Sequence, residues 1–227
     1  MKEERTFNTL FMLCSVDGKI STGDIDKRDI DKDFPKINGL KEGLQQYYFL
    51  EKQTDLHSFN TGRVMAKVGI NKPQKEIKKL PVSFIIVDDK HLNNTGVKNL
   101  LIKSKTLYLV TSNKKHPAFE VKTDNLKIIF YKKIDFLNLF KKLKQEFGID
   151  KVTIQSGGTL NSVLVREGLI DRISIVVAPA LIGGKSTPTL VDGKSLRSDK
   201  ELKKIKALRF LKCDVLGNSY LHLIYDV

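Results

Sequence analysis

The stretch "KVTIQSGGTLNSVLVREGLIDRISIVVAPALIGG", from Lys151 to Gly184, limits the possible folds more than any other part of the chain. An apolar strand runs through Gly157 and Gly158 into a short helix, and a second apolar strand follows at once. A strand, helix and strand in this order favour a parallel pair with the helix laid on one face of the sheet. Paired glycines at the first corner let the backbone turn sharply or let a ligand approach it closely. Ser156, Gly157, Gly158 and Thr159 would offer backbone N–H groups at a helix start, where unpaired donors and the helix dipole favour an anion. The spacing is neither G-x-G-x-x-G nor a P-loop with its Lys-Ser/Thr pair, and close packing explains such a corner as well as a phosphate does.

Upstream, "FNTLFMLCS" (Phe7 to Ser15) has the mostly apolar character of a central strand, and "DGKIST" follows as a loop. Residues 23–39, "GDIDKRDIDKDFPKING", are polar and acidic and carry Pro35. They predict a long surface loop in which Asp24, Asp26 and Asp33 are solvated. "LKEGLQQYYFLEKQ" has a helical period weakened by Gly43. "TDLHSF" is a short strand feeding the turn and helix start "NTGRVMAKVG". Strands in "PVSFIIVDD", "TLYLVTS" and "NLKIIFYK" then interleave with helices in "NNTGVKNLLIKS" and "DFLNLFKKLKQEFG". The last of these is the cleanest, with Asp135 as cap, Gly148 as stop and a stripe of Phe136, Leu139, Phe140, Leu143 and Phe147. The tail, "KALRFLKCDVLGNSYLHLIYDV", reads as a hairpin turning near Gly217 and Asn218. With no repeat and no linker, residues 1–227 are expected to form one α/β domain.

Charge narrows the partners. Lys and Arg number 40 against 26 Asp and Glu, a net +14, and only seven of the forty are Arg. Such a field draws in anionic ligands. A nucleic-acid module would gather Arg and aromatics on one face, whereas these lysines scatter, so a solvated surface is favoured and nucleic acid disfavoured. No apolar run reaches the ~18 residues of a membrane span, and "MKEERTFNTL" lacks a signal peptide's apolar stretch. A cytoplasmic protein is expected, with Cys14 and Cys213 as packed thiols and no metal site.

Three further clusters could carry chemistry. In "NTGRV", Asn60 to Val64, Gly62 permits close approach and Arg63 brings a fork suited to a phosphate monoester, although an exposed Arg in a turn explains it equally. In "SVDGKI", Asp17 and Lys19 place a carboxylate and an ammonium at the end of the first strand, where a tight turn with solvated charges is the plainer reading. "APALIGG" supplies Pro179, Gly183 and Gly184 after the strand that leaves the Gly157–Gly158 unit. All of these, like the glycine corner, fall where strands end, which is where ligands bind in open α/β sheets.

Taken together, "SVDGKIST", "QSGGTLNSVLVREGLIDRISIVVAPALIGG" and "PTLVDGKSL", in that order, resemble the C-terminal reductase domain of the riboflavin biosynthesis deaminase-reductases, itself dihydrofolate-reductase-like. The zinc-deaminase signature of the bifunctional enzymes is absent from the sequence. The resemblance implies a three-layer α/β/α fold around a mixed, mostly parallel sheet with the C-terminal hairpin. It implies a homodimer, NADPH as cofactor, and a phosphorylated heterocycle as substrate, a phosphoribosylamino-pyrimidine reduced to its ribitylamino form. Gly157, Gly158, Thr159 and Leu160, with Ser156, would hold the dinucleotide phosphates. Cys14 and Ser15 would border the nicotinamide, Ser15, Lys19 and Ser156 would meet substrate, and Asn60, Thr61, Gly62 and Arg63 would bind cofactor, Arg63 at the 2′-phosphate. Asp17 and Lys19 are the expected catalytic pair, Asp17 relaying a proton or orienting Lys19. By analogy the Gly157–Gly158 bond is expected to be cis. The family usually carries Glu where this chain has Ser156. That departure keeps a second reading open, a nucleotide sensor without turnover, and a nucleic-acid-binding protein on a retired enzyme fold stands behind it.

Overall fold

A computed structural model describes residues 4–227. In chain order its regular elements are β1 (Phe7–Ser15), α1 (Ile30–Asp33), α2 (Leu44–Glu51), β2 (His57–Thr61), α3 (Gly62–Lys67), β3 (Ser83–Val87), α4 (Asn94–Lys103), β4 (Leu107–Thr111), β5 (Leu126–Phe130), α5 (Phe136–Phe147), β6 (Lys151–Ile154), α6 (Gly158–Arg166), β7 (Arg172–Ala178), β8 (Arg209–Val215) and β9 (Leu221–Asp226). The described residues divide between two compact units, Asp55–Ser156 with residues 4–7, and Asn8–Thr54 with Gly157–Val227. Strands and helices alternate along much of the chain, an α/β fold with mostly parallel pairing in which the antiparallel pairs β7–β9 and β8–β9 belong to the second unit. Among the described residues no helix is long and apolar enough to cross a membrane.

In the first unit five parallel strands lie in the order β5-β4-β3-β2-β6. Alternation along the strands divides the side chains between two faces. Phe84, Ile86, Leu107 and Leu109 pack with Val97, Leu100 and Leu101 of α4 in one core. Phe59 and Tyr108, on the other face, meet α5 through Phe140 and Phe147 at ring separations of 5.4 and 5.1 Å. Helix α5 follows the reading of its sequence: Asp135 accepts the Asn138 N–H at 2.9 Å, Leu139, Phe140 and Leu143 are buried, and Gly148 closes the helix at φ 67°. Each such burial stabilises by about 1.5–3 kcal/mol. From β2 the chain steps outward through β3, β4 and β5, and α5 then returns it to β6 on the opposite side of β2. The order of strands therefore reverses between β2 and β6.

In the second unit β1 pairs parallel with β7, Ser15 opposite Ala178, and the C-terminal hairpin adds β9 and then β8, both antiparallel. Phe11, Leu13, Val176 and Ala178 form the sheet's share of a core completed by Ile30, Phe34, Leu40, Leu44, Tyr47 and Tyr220. The acidic segment is thus no open surface loop. It holds α1 and a 3₁₀ turn at Phe34–Lys36, and buries Ile30 and Phe34, with Leu40 buried just after it. Asp29 caps α1, and Asp33 is buried rather than solvated. Hydrogen bonds from Thr22 and from Lys36, the latter at 2.9 Å, hold the Asp33 carboxyl well below the usual carboxylate range. The alternating charges hid an i, i+4 apolar pair, Ile30 and Phe34, that faces one side of the turn and packs into the core. Helix α2 begins only after Gly43, where a Cβ would lie 2.4 Å from the Tyr220 ring. Cys14 is buried as expected, but Cys213 is exposed, because β8 is an edge strand paired only with β9.

Candidate functional site

Within the first unit the order of strands reverses between β2 and β6, and the C-terminal strand ends at such a reversal are where open α/β sheets bind ligands. Phe59 stands opposite Ile154, and the next residue, Gln155, donates its N–H to Phe59 O at 2.9 Å and accepts from Ser58 Oγ at 3.2 Å. Asn60 and Thr61, the last residues of β2, therefore continue alongside Gln155 and the buried Ser156, and Gly62 and Arg63 open α3 directly after them. Asn60 Oδ1 accepts the Thr61 N–H at 2.8 Å, and Thr61 Oγ1 caps α3 by accepting from Val64 at 3.3 Å. Arg63 is exposed at the start of that helix. Gly62 is buried, and its lack of a side chain is explained by its neighbour: a Cβ there would lie 2.2 Å from Cγ and Oδ1 of Asp88.

Asp88 follows β3 directly and its side chain is wholly enclosed. It accepts the Leu92 N–H at 2.9 Å, the His91 N–H at 3.0 Å, His91 Nδ1 at 3.0 Å and His116 Nε2 at 3.0 Å. Burial works to raise its pKa, but these bonds, His116 first, hold it at about 2. His116 Nδ1 accepts the Ala118 N–H at 3.1 Å, so the ring's proton lies on Nε2, facing the carboxylate. Next to it Asp89 accepts from Ser112 N–H at 2.6 Å, Ser112 Oγ at 2.8 Å and Thr111 Oγ1 at 2.9 Å. Two adjacent carboxylates thus tie the ends of β3 and β4 together.

In the second unit the loop after β1 is stitched to the segment after β7. Ser15 Oγ donates to Asp17 Oδ1 at 2.5 Å and accepts the Lys19 N–H at 2.9 Å. Asp17 also accepts from Gly183 at 2.6 Å and Ile182 at 3.2 Å. Chiefly through the Ser15 bond its pKa is held at about 2. Lys19 does not pair with Asp17: its Nζ donates to Gly184 O at 2.8 Å and Thr187 O at 3.0 Å. Burial, aided by the Asp17 charge, pushes the Cys14 thiol up to about 11, so Cys14 is no nucleophile at neutral pH.

The glycine corner resolves into two different residues. Gly157 is the N-cap of α6, extended at φ −74° and ψ 157°, and space is open where a Cβ would stand. Gly158 has no such room: a Cβ would lie 2.2 Å from Thr189 O and 2.4 Å from Asp192 Oδ2. Asp192 donates its N–H to Gly158 O at 3.0 Å, and its carboxylate takes the Thr189 N–H at 3.0 Å and hydroxyl at 2.6 Å. The expected cis bond is absent, since the described residues contain no cis peptide. An extended Gly157, whose carbonyl accepts from Asn161 at 3.0 Å, already turns the chain into the helix. Thr159 is exposed and Leu160 half-buried on the first turn, which has no side-chain cap.

The sequence profile of the RibD C-terminal domain matches residues 6–221, across both units. The chain belongs to that family. Over 61 residues it is 36% identical to the 2,5-diamino-6-ribosylamino-4(3H)-pyrimidinone 5′-phosphate reductase of Archaeoglobus fulgidus, an alignment covering 27% of this chain and 28% of that one. RibD of Acinetobacter baumannii, form 1, superposes with a TM-score of 0.69 at 15% identity, covering 98% of this chain and 58% of that one. Dihydrofolate reductase of Enterococcus faecalis, solved in complex with NADP(H), gives a TM-score of 0.50 at 10% identity over 97% of this chain and 95% of that one. At these identities the structures speak for the fold alone. The chain spans less than two thirds of the length of the A. fulgidus reductase and of RibD.

For this RibD C-terminal domain, sequence reasoning passed over Asp88, Thr189 and Asp192. Asp88 and Asp89 ended the strand reading "PVSFIIVDD", and the signal that could have singled out Asp88 is its position, a carboxylate at the end of an otherwise apolar strand. Asp192 lay inside "PTLVDGKSL", quoted for resemblance but given no contact.

Proposed function

We propose that this RibD C-terminal domain is an NADPH-dependent reductase of a phosphorylated heterocycle, a phosphoribosylamino-pyrimidine whose ring-opened sugar accepts hydride at its first carbon. The observation that carries the reading is the β2/β6 reversal, which runs the end of β2, with Gly62 and Arg63 following it, alongside the residues after β6 in a chain of this family. The residues fit the cofactor. Gly157 leaves its Cβ position open over the uncapped start of α6, and Arg63 is exposed. Gly157, Gly158, Thr159 and Leu160 would hold phosphates through backbone N–H groups, and Arg63 the 2′-phosphate through its fork. When bound, a reduced nicotinamide supplies the hydride.

The chain's own residues hold and orient. Two of the three donors on Lys19 Nζ are turned to Gly184 O and Thr187 O, which leaves one for an oxygen of the substrate. Asp17, with its pKa held at about 2 and its oxygens filled by Ser15 and two amides, is a poor proton relay and instead fixes the loop that carries Lys19. Ser156 offers a hydroxyl where the family's Glu would offer an acid. This substitution favours the sensor reading, binding without turnover. We further assign a second copy of the chain to β8, six of whose seven residues are exposed, Phe210 and Val215 among them. Sedimentation should then report a dimer that Phe210→Lys weakens, and an unaltered monomer would remove that assignment.

The test of the reductase is to mix the protein with NADPH and the phosphoribosylamino-pyrimidine and follow loss of reduced-nicotinamide absorbance. Turnover that Lys19→Ala abolishes supports it. Saturable NADPH binding without turnover selects the sensor, and neither binding nor turnover removes both.

A further inference from the structure

We infer that Asp88 is a positioning residue that sets the Thr61–Gly62–Arg63 segment, and that it does so by direct contact with the backbone of Gly62. The inference rests on the proposed cofactor role of Arg63. Its geometry lies entirely within the first unit.

Thr61 stands opposite Val87 in the β2/β3 register, so Gly62 and Asp88 are the next residues along the two strands. At that point the carboxylate occupies the volume that any side chain at position 62 would need, 2.2 Å from an ideal Cβ. The carboxylate itself has little freedom. It is held from one side by the His91 and Leu92 amides and the His91 ring, and from another by His116. His116 is itself fixed, buried and bonded through Nδ1 to Ala118. A buried carboxylate that is fully hydrogen-bonded keeps one position, since any movement leaves a donor unpaired at a cost. Gly62 rests on that fixed surface, and the backbone leaving it begins α3 and carries Arg63 outward. The level of Asp88 beneath Gly62 therefore determines where the guanidinium stands. A bidentate fork tolerates little displacement from its phosphate.

A purely structural knot would lower stability when broken and leave cofactor choice alone. A positioning residue would change the discrimination that depends on Arg63. The experiment measures KM and kcat with NADPH and with NADH, alongside melting temperature, for the full-length wild type, Asp88→Asn, Asp88→Ala, Gly62→Ala and the double variant Gly62→Ala/Asp88→Ala. The expected result is that KM for NADPH rises about tenfold in Asp88→Asn and Gly62→Ala while KM for NADH and kcat change by less than about threefold. Gly62→Ala adds one methyl at the contact and leaves every Asp88 partner in place, so it reads the contact even if Asp88→Asn folds poorly. The double variant Gly62→Ala/Asp88→Ala gives the decisive comparison. Removing the carboxylate makes room for the methyl, so the double variant should match Asp88→Ala in its NADPH-to-NADH ratio. Variants that melt lower but keep the wild-type ratio would overturn the inference. A wild type that binds neither nucleotide would instead remove the reductase reading, and this inference with it.

Discussion

Gly157 and Gly158 stand side by side and answer to different neighbours. Gly158 is required by the protein itself, since Thr189 O and Asp192 occupy the space of its Cβ. Gly158→Ala should cost about 1–3 kcal/mol, seen as a lower denaturation midpoint. Gly157, at φ −74° with open space before it, accepts alanine without strain. Gly157→Ala should leave stability within about 0.5 kcal/mol yet weaken nucleotide binding, because the methyl projects into the open side of the corner. Asp88 adds a pH dependence at the same scale. Its folded pKa of about 2 lies below the unfolded carboxylate value, so its stabilisation is complete above roughly pH 4 and is lost as pH falls through 2. Melting temperature against pH should fall across that window and fall less steeply in Asp88→Asn. Thiol labelling should leave Cys14, buried and with its thiol pushed up to about 11, unreacted until the protein unfolds.

Elements with strong period or clear punctuation were legible. Helix α5 ran from cap to stop as its sequence implied, and Asp135→Ala should cost about 1 kcal/mol in a denaturant melt. Strand β1 matched its apolar run, and the hairpin turned where Gly217 and Asn218 suggested, Asn218 adopting φ 56°. Helix α1 was not legible. Its single turn buries Ile30 while Asp31, Lys32 and the neighbouring charges dominate the local pattern, and only Phe34 and Leu40 docking into the β1–β7 core gives it a reason to form. The start of α2 was hidden for a related reason, since the residue that excludes a side chain at Gly43 is Tyr220, far along the chain. Contacts at long sequence separation decide such boundaries, and local period carries no record of them.

For the whole molecule, alternation of strands and helices was enough for an α/β fold, and the family resemblance held across residues 6–221. Strand order was not readable. Nothing in "KVTIQ" tells that β6 returns beside β2, and that return is what brings the end of β2 alongside Gln155 and Ser156. Asp17 and Lys19 do not bond to each other, because Ser15 Oγ and the Ile182 and Gly183 amides fill the carboxylate while the Gly184 and Thr187 carbonyls take the ammonium, and none of these partners is marked in the sequence. Arg63 carries the most specific of the claims. The measurement that tests the account most directly is nicotinamide fluorescence during titration of the purified chain with NADPH and with NADH, repeated for Arg63→Ala. The account predicts saturable binding with NADPH favoured, and a preference that collapses in Arg63→Ala through a loss confined largely to NADPH. A titration that never saturates, or an Arg63→Ala variant that weakens both nucleotides equally, would contradict it.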